Sequence, residues 1–265
     1  MQASDSRRTA LVTGASSGIG LELATLLAQD RHDLVLVARS RDRLAAIANG
    51  LKEEFGVSVV VVARDLARAE TPREIAKELD ARRVTIDVLI NNAGFGVYGL
   101  FAETAIDKEL AMIQVNVAAL THLTKLMLPG MLQRRRGRIL NVASTAAFAP
   151  GPLMAVYYAT KAYVLSFSEA LANETAGSGV TVTALCPGPT VTEFQKAAGL
   201  EATRLFRSPL VMKAPDVARA GYEGMLRGKR IVIPGAGNFA LVEALRVTPR
   251  RLVTAIARRI QEAKT

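Results

Sequence analysis

The feature that most limits the fold of this chain is a series of short Val/Leu/Ile-rich runs without polar alternation, each followed by a longer segment of helical periodicity. The runs are Thr9 to Thr13, Asp33 to Ala38, Val57 to Ala63, Ile86 to Asn91, Gly137 to Val142, Val180 to Cys186 and Arg230 to Ile233. Strands that are apolar on both faces belong in a parallel sheet covered on both sides. Alternation of strand and helix then demands right-handed crossovers. The expected fold class is therefore α/β: a Rossmann-type doubly wound parallel sheet of about seven strands with helices on both faces. From Asp107 to Met131, Leu110, Ile113, Val117, Leu120 and Met127 recur at three- and four-residue steps or their multiples, predicting one long amphipathic helix.

At 265 residues with 50% hydrophobic side chains, the chain can bury a sizeable core, and we read residues 1–265 as one domain. A less regular segment, about 188–213, contains Pro189, Gly199 and Pro209 and follows a strand end. That is where open α/β sheets bind ligands, so the segment reads as a substrate lid. Its apolar residues Phe194, Leu200, Leu205, Phe206, Leu210, Val211 and Met212 suit an apolar carbonyl compound.

The lone cysteine, Cys186, rules out an intrachain disulfide, and a reducing, cytoplasmic setting is expected. No signal peptide and no membrane-spanning segment of roughly 18 to 20 apolar residues is read from the sequence. His32 and His122 have no second ligand at metal-binding spacing, so no metal is expected.

The formal charge of +10 is concentrated late in the chain. From Arg227 onward, nine Lys/Arg face two acids. Residues 238–265 form a basic extension, in which Pro249 to Lys264 predicts a short helix with Leu252, Val253, Ile256 and Ile260 on one side. Packing on the core or on a second subunit is favoured for it over an acidic membrane surface. The Arg134 to Arg138 cluster lies between a helix end and a strand start, where cations are favourable without a nucleic-acid partner.

The first strand runs into Thr13-Gly14-Ala15-Ser16-Ser17-Gly18-Ile19-Gly20 and then a helical pattern. Glycines there permit a tight turn and close backbone approach, leaving helix N-terminal N–H groups for a pyrophosphate. The second strand ends Ala38-Arg39-Ser40, with Arg41 and Arg43 close by and no acid before Asp42. An acid at this junction would bind an adenosine ribose, whereas Arg accommodates a 2′-phosphate. NADP(H) is thus favoured over NAD(H), with Arg39 the principal contact and Arg41 and Arg43 equally readable as a solvated helix start.

Tyr157 and Lys161 are four residues apart in a helical run, which places them on one face. A phenol with a pKa of about 10 is a poor base at neutral pH, and a neighbouring ammonium lowers that value. Tyr158 has Ala162 at its i+4 position and lacks such a partner. Ser144 follows the strand ending at Val142, at an edge where a substrate carbonyl is polarised. Asn116, inside the long helix, is readable either as a site residue or as a side chain turned to solvent or to a backbone carbonyl.

Together these motifs resemble the short-chain dehydrogenase/reductase family from Thr9 to about Ile233, with Asp65-Leu66, Asn91-Asn92-Ala93-Gly94 and Pro187-Gly188-Pro189-Thr190-Val191-Thr192 adding to the match. The resemblance implies an oxidoreductase interconverting a carbonyl and an alcohol by hydride transfer. It implies that Gly14, Ser16, Ser17, Gly18, Ile19 and Gly20 meet the cofactor phosphates and ribose, and that Asp65 and Leu66 meet adenine. Asn92, Ala93 and Gly94 would lie on the adenosine side. Pro187, Gly188, Thr190, Val191 and Thr192 would hold the nicotinamide. It further implies Tyr157 as general acid or base, Lys161 on the nicotinamide ribose, Ser144 on the substrate oxygen and Asn116 holding a water relay. A homodimer or homotetramer is implied as well. The competing reading is a catalytically weak NADP(H)-sensing or scaffold protein on the same fold.

Overall fold

The structure is a computed structural model and describes residues 7–198 and 208–262. Seven parallel strands form the main sheet: β1 (Thr9–Thr13), β2 (Asp33–Ala38), β3 (Val59–Ala63), β4 (Val88–Asn91), β5 (Gly137–Val142), β6 (Val180–Leu185) and β9 (Ile231–Val232). Their order is β3-β2-β1-β4-β5-β6-β9. The chain winds outward from β1 to β3, then restarts beside β1 at β4 and winds the other way. A crevice opens at this switch, outside the carboxyl ends of the strands. The expected doubly wound α/β fold is the one observed.

Strand alternation divides the core into two layers. Ala10, Val12, Leu34, Leu36, Val88, Ile90 and Leu140 face helices α1 (Gly18–Gln29), α2 (Arg41–Phe55) and α8 (Ala214–Leu226). Leu11, Val35, Val37, Leu89 and Ile139 face α3 (Thr71–Ala81) and the long helix on the other side. Residues fully enclosed there, such as Leu11, Leu36 and Ile90, each contribute about 1.5–3 kcal/mol by leaving water.

The long helix runs from Ile106 to Gln133 but changes pitch midway. An α segment, α4 (Ile106–Ile113), passes through a π turn (Gln114–Ala119) into α5 (Leu120–Gln133). The face packed on the sheet carries Met112, Val115, Asn116, Ala119, Leu123 and Met131. Leu110 and Ile113, on the apolar stripe expected from the sequence, are instead exposed. Both precede the π turn and lie off the face that Met112, Val115 and Ala119 bury. By length and hydropathy this helix also has the dimensions of a membrane span, yet its Met112–Leu123 face is sheet core.

After β6 a two-stranded parallel ladder forms between β7 (Thr190–Val191) and β8 (Met212–Lys213). It is the stem of the segment expected to be a lid, and α7 (Phe194–Ala197) follows its first strand. Gly199, Leu200, Leu205 and Phe206 lie outside the described residues. The basic extension holds two helices, α9 (Ala236–Val247) and α10 (Arg250–Gln261). The expected packing face of α10 is only partly used. Val253 and Gln261 are buried, whereas Leu252, Ile256 and Ile260 stay exposed, because the contact runs along the side that carries Gln261.

Near the Arg134 cluster, Arg134 donates to the Ile86 carbonyl at 2.8 Å and Arg136 pairs with the buried Asp87 at 2.9 Å. These residues join the helix end to the sheet. Among the described residues no group of His, Cys, Asp and Glu could hold a metal ion.

Candidate active site

A cleft of about 800 Å³ follows the switch point across the strand ends. Its wall begins at the turn between β1 and α1. Gly14 adopts φ +66°, and a Cβ there would sit 2.7 Å from Asn92 Nδ2, so both conformation and space require glycine. Gly18, also at positive φ, opens α1. Ser17 caps this helix with extended backbone and makes no side-chain cap bond, which leaves N–H groups of the first turn open to an anion. Ser16, Ser17, Gly18 and Ile19 line the cleft. Gly20 does not. A Cβ on it would meet the Gly14 carbonyl oxygen at 2.3 Å, so its work is to let α1 sit close against the turn.

Asn92 ties β4 to this turn by donating to the carbonyls of Thr13 at 3.0 Å and Gly14 at 3.2 Å. Ala93 and Gly94 continue the wall. Arg39 lies at the end of β2, exposed and lining the cleft, with no ion pair among the described residues. Arg43, one turn into α2, is instead held at two points by Glu193, at 2.6 and 3.1 Å. Arg64 also reaches the cleft but is committed to Glu74 and Glu78. Asp65 and Leu66 complete this end, Asp65 accepting from the Ala67 N–H at 2.9 Å.

The other end holds Ser144, Tyr157 and Lys161. Ser144 leaves β5 in extended backbone, and its Oγ accepts from the Ala146 N–H at 3.1 Å. Its Oγ donates to the Pro187 carbonyl at 3.4 Å and faces the Tyr157 phenol, whose pKa it lowers. Tyr157 and Lys161 come from α6 (Ala155–Glu174). Lys161 Nζ donates to the Val142 carbonyl at 2.8 Å and stands 5.8 Å from the centre of the Tyr157 ring.

Electrostatics here differ from the sequence expectation. Burial raises the Tyr157 pKa well above that of a free phenol, and the Ser144 hydrogen bond offsets only part of that rise. Burial also lowers Lys161 to about 8. Enclosure disfavours each charged form, and the ammonium is spent on the Val142 carbonyl. The resting phenol is protonated at neutral pH.

Around the Tyr157 ring stand Tyr158, edge-on with centroids 6.1 Å apart, and Phe194, tilted at 5.4 Å. Pro187, Gly188, Thr190 and Thr192 form the facing wall. Between those threonines the Val191 side chain is 57% exposed and does not line the cleft, as alternation along β7 requires.

Asn116 also lies outside the cleft wall. Its Oδ1 accepts from the Phe95 N–H at 3.1 Å, and its Nδ2 donates to the Phe95 carbonyl at 3.0 Å and to Thr160 Oγ1 at 3.1 Å. Thr160 in turn donates to the Tyr157 carbonyl. The Asn116 side chain is thus satisfied by the Phe95 backbone and by Thr160.

Several site neighbours were not anticipated. Gln261 of α10 is hydrogen-bonded to the Tyr158 hydroxyl, and its own carbonyl accepts from Tyr98 at 2.8 Å. Glu193 and Thr160 belong with it. Each works through a contact between distant segments or within a helix, for which sequence spacing carries no signal.

The parallel sheet, its switch-point cleft and the open turn before α1 define a nucleotide-binding Rossmann-type protein. The pattern described as short chain dehydrogenase matches residues 8–202, and the chain belongs to that family of oxidoreductases. It is 34% identical over 181 residues to the ketoacyl reductase HetN of a Nostoc species, covering 68% of this chain and 63% of the relative. It is 35% identical over 191 residues to the rat very-long-chain 3-oxoacyl-CoA reductase, covering 71% and 61%. The match thus spans under two thirds of these relatives' length. Among solved structures, a Sphingobium yanoikuyae short-chain dehydrogenase in complex with NADPH is 37% identical with a TM-score of 0.80, covering 90% of this chain and 93% of that one.

Proposed function

We propose that the protein reduces a ketone or aldehyde with NADPH, and that Tyr157 is the proton donor. The observation that carries this reading is the meeting of Ser144, Tyr157 and Lys161 at one end of a cleft whose other end presents Arg39.

The residues present fit such a cofactor. Gly14 and Gly18 keep the turn open where a Cβ would crowd it, and the uncapped start of α1 suits a pyrophosphate. Among the described residues lining the cleft, Arg39 has no ion-pair partner and suits a 2′-phosphate, whereas Arg43 has first to leave Glu193. That supports NADP(H) over NAD(H), in keeping with the NADPH bound to the Sphingobium relative. When bound, the nicotinamide supplies the hydride.

The remaining work belongs to the chain. Ser144, with its Oγ fixed by the Ala146 N–H, orients the substrate oxygen beside the Tyr157 hydroxyl. Tyr157, kept protonated by burial, gives that oxygen its proton. Lys161 holds the Val142 carbonyl in the cleft floor and, while charged, stabilises the phenolate left behind. Asn116 fixes the Phe95 backbone and the start of α6 through Thr160, acting on Tyr157 by position. Phe194 and Met154, packed with Tyr157, give the substrate end an apolar wall, which suits an apolar carbonyl compound.

NADPH oxidation measured against a panel of ketones and aldehydes, with NADPH binding followed by fluorescence, tests this directly. Turnover on at least one carbonyl compound is expected. Tight NADPH binding with no turnover across the panel would assign the fold a cofactor-sensing role instead.

A further inference from the structure

We infer that Gln261, in the last turn of α10, is a positioning residue for the substrate end of the cleft. It anchors Tyr158 and, through that ring, the orientation of Tyr157. The inference rests on the reading of Tyr157 as proton donor.

Three observations converge on it. Gln261 is polar yet 1% exposed. Its side-chain amide hydrogen-bonds the Tyr158 hydroxyl, and its main-chain carbonyl accepts from the Tyr98 hydroxyl. Two tyrosines from separate segments therefore grip one turn of α10. Finally, Tyr158 is itself packed against the reacting ring, edge-on, and lines the cleft.

The second face of Tyr158 is closed by Gly151, where a Cβ would lie 2.3 Å from the ring. With Gly151 on one side, Tyr157 on another and Gln261 at the hydroxyl, the ring has one orientation available. Releasing the hydroxyl frees its tip, and Tyr157 loses a fixed neighbour at its edge-on contact.

The polar nature of position 261 points the same way. Gln261 Oε1 is buried with no hydrogen-bond partner among the described residues. A buried acceptor without a donor opposes folding, while the amide's bond to the Tyr158 hydroxyl favours it. The two terms offset in Gln261→Met, so a change in substrate fit without a matching loss of stability separates positioning from folding.

The test uses the full-length chain with Gln261→Met, Tyr158→Phe and the double variant. For Gln261→Met we expect thermal stability close to the parent, the freed Oε1 penalty offsetting the lost Tyr158 bond, and NADPH binding within twofold. The KM for ethyl 3-oxobutanoate should rise roughly fivefold, the size of one lost neutral hydrogen bond. The double variant should be no worse than Tyr158→Phe alone, because both remove one link. In the NADPH-free protein with ring-labelled tyrosine, the Tyr157 resonance should shift in Gln261→Met. A lowered melting temperature with unchanged KM, or losses that multiply in the double variant, would overturn the inference. An unmoved Tyr157 resonance would do so whatever the turnover. Absence of turnover in the parent, with the resonance shift present, would count against the proposed reduction and leave the Gln261–Tyr158–Tyr157 linkage standing.

Discussion

Lys161 Nζ donates to the Val142 carbonyl at 2.8 Å while standing 5.8 Å from the centre of the Tyr157 ring. The lysine is thus built into the strand end, and the phenol it serves is a protonated acid. In the proposed reduction, proton donation resides in a single hydroxyl. Tyr157→Phe keeps the ring and its contacts with Tyr158 and Phe194 but removes that proton. Turnover should fall by about 10²–10⁴, with NADPH affinity within about threefold of the parent. Stopped-flow reduction together with fluorescence binding separates the two, and near-normal turnover would remove Tyr157 from the mechanism.

A charged Lys161 is held in the folded protein at a disadvantage. Its pKa lies near 8 there and about 10.4 when exposed. Below pH 8 both states are protonated and the burial penalty is felt in full. Between about pH 8 and 10.4 the unfolded chain binds more protons, so stability rises with pH. Lys161→Met should therefore be more stable than the parent at pH 7, by on the order of 2 kcal/mol. That gap should close as pH approaches 10. Denaturant melts at pH 7 and pH 9.5 measure it, and a gap independent of pH would contradict the assigned burial. Turnover of the same variant should drop by at least about tenfold at pH 7, since the phenolate loses its cation.

The sheet was legible because strands buried on both faces leave uninterrupted Val and Leu, as in Leu34 to Val37, where neighbouring residues enter opposite core layers. The turn from Gly14 to Gly20 was legible because its glycines recur at fixed spacing between a strand and a helix, although the atoms that exclude a Cβ there, Asn92 and Ala93 among them, lie far along the chain. What escaped was non-local or a matter of phase. Nothing in Gln114-Val115-Asn116 announces a π turn, and the buried face carries Met112, Val115, Ala119 and Leu123 rather than the Leu110–Ile113 stripe read from the sequence. Glu193 meets Arg43 across 150 residues, and Gln261 meets Tyr158 across 103. The sign of the Tyr157 shift was missed for a related reason, since an i,i+4 spacing reports the presence of a cation and not the enclosure around it.

The arginines of the cleft make separable predictions for cofactor choice. Arg39 has no carboxylate partner among the described residues, whereas Arg43 is paired with Glu193. A charge-assisted bond to a 2′-phosphate contributes about 1.5–3 kcal/mol. Arg39→Ala should accordingly raise the KM for NADPH by roughly 10- to 100-fold and leave that for NADH nearly unchanged. Glu193→Gln should act the other way, freeing Arg43 and lowering the KM for NADPH by a few-fold. Equal effects of Arg39→Ala on both cofactors would show that it does not read the phosphate.

Asn116 offers the sharpest separation of structure from chemistry. Its side chain answers both the N–H and the carbonyl of Phe95 and also holds Thr160. It is 1% exposed, while the Phe95 groups it answers are part-buried at the cleft wall. Asn116→Ala leaves those groups to partial solvation, and an unsatisfied polar group costs about 1–3 kcal/mol when buried. A loss of about 1–3 kcal/mol in unfolding free energy is expected. Because Thr160 bonds the Tyr157 carbonyl, the loosened contact also reaches α6, and kcat should fall more than the KM for NADPH rises. Asn116→Asp restores the acceptor for the Phe95 N–H but sets a carboxylate against the Phe95 carbonyl, so it should recover little of either loss. Chemical denaturation and steady-state kinetics on both variants decide the matter. Full stability with lost turnover would instead place Asn116 in the chemistry.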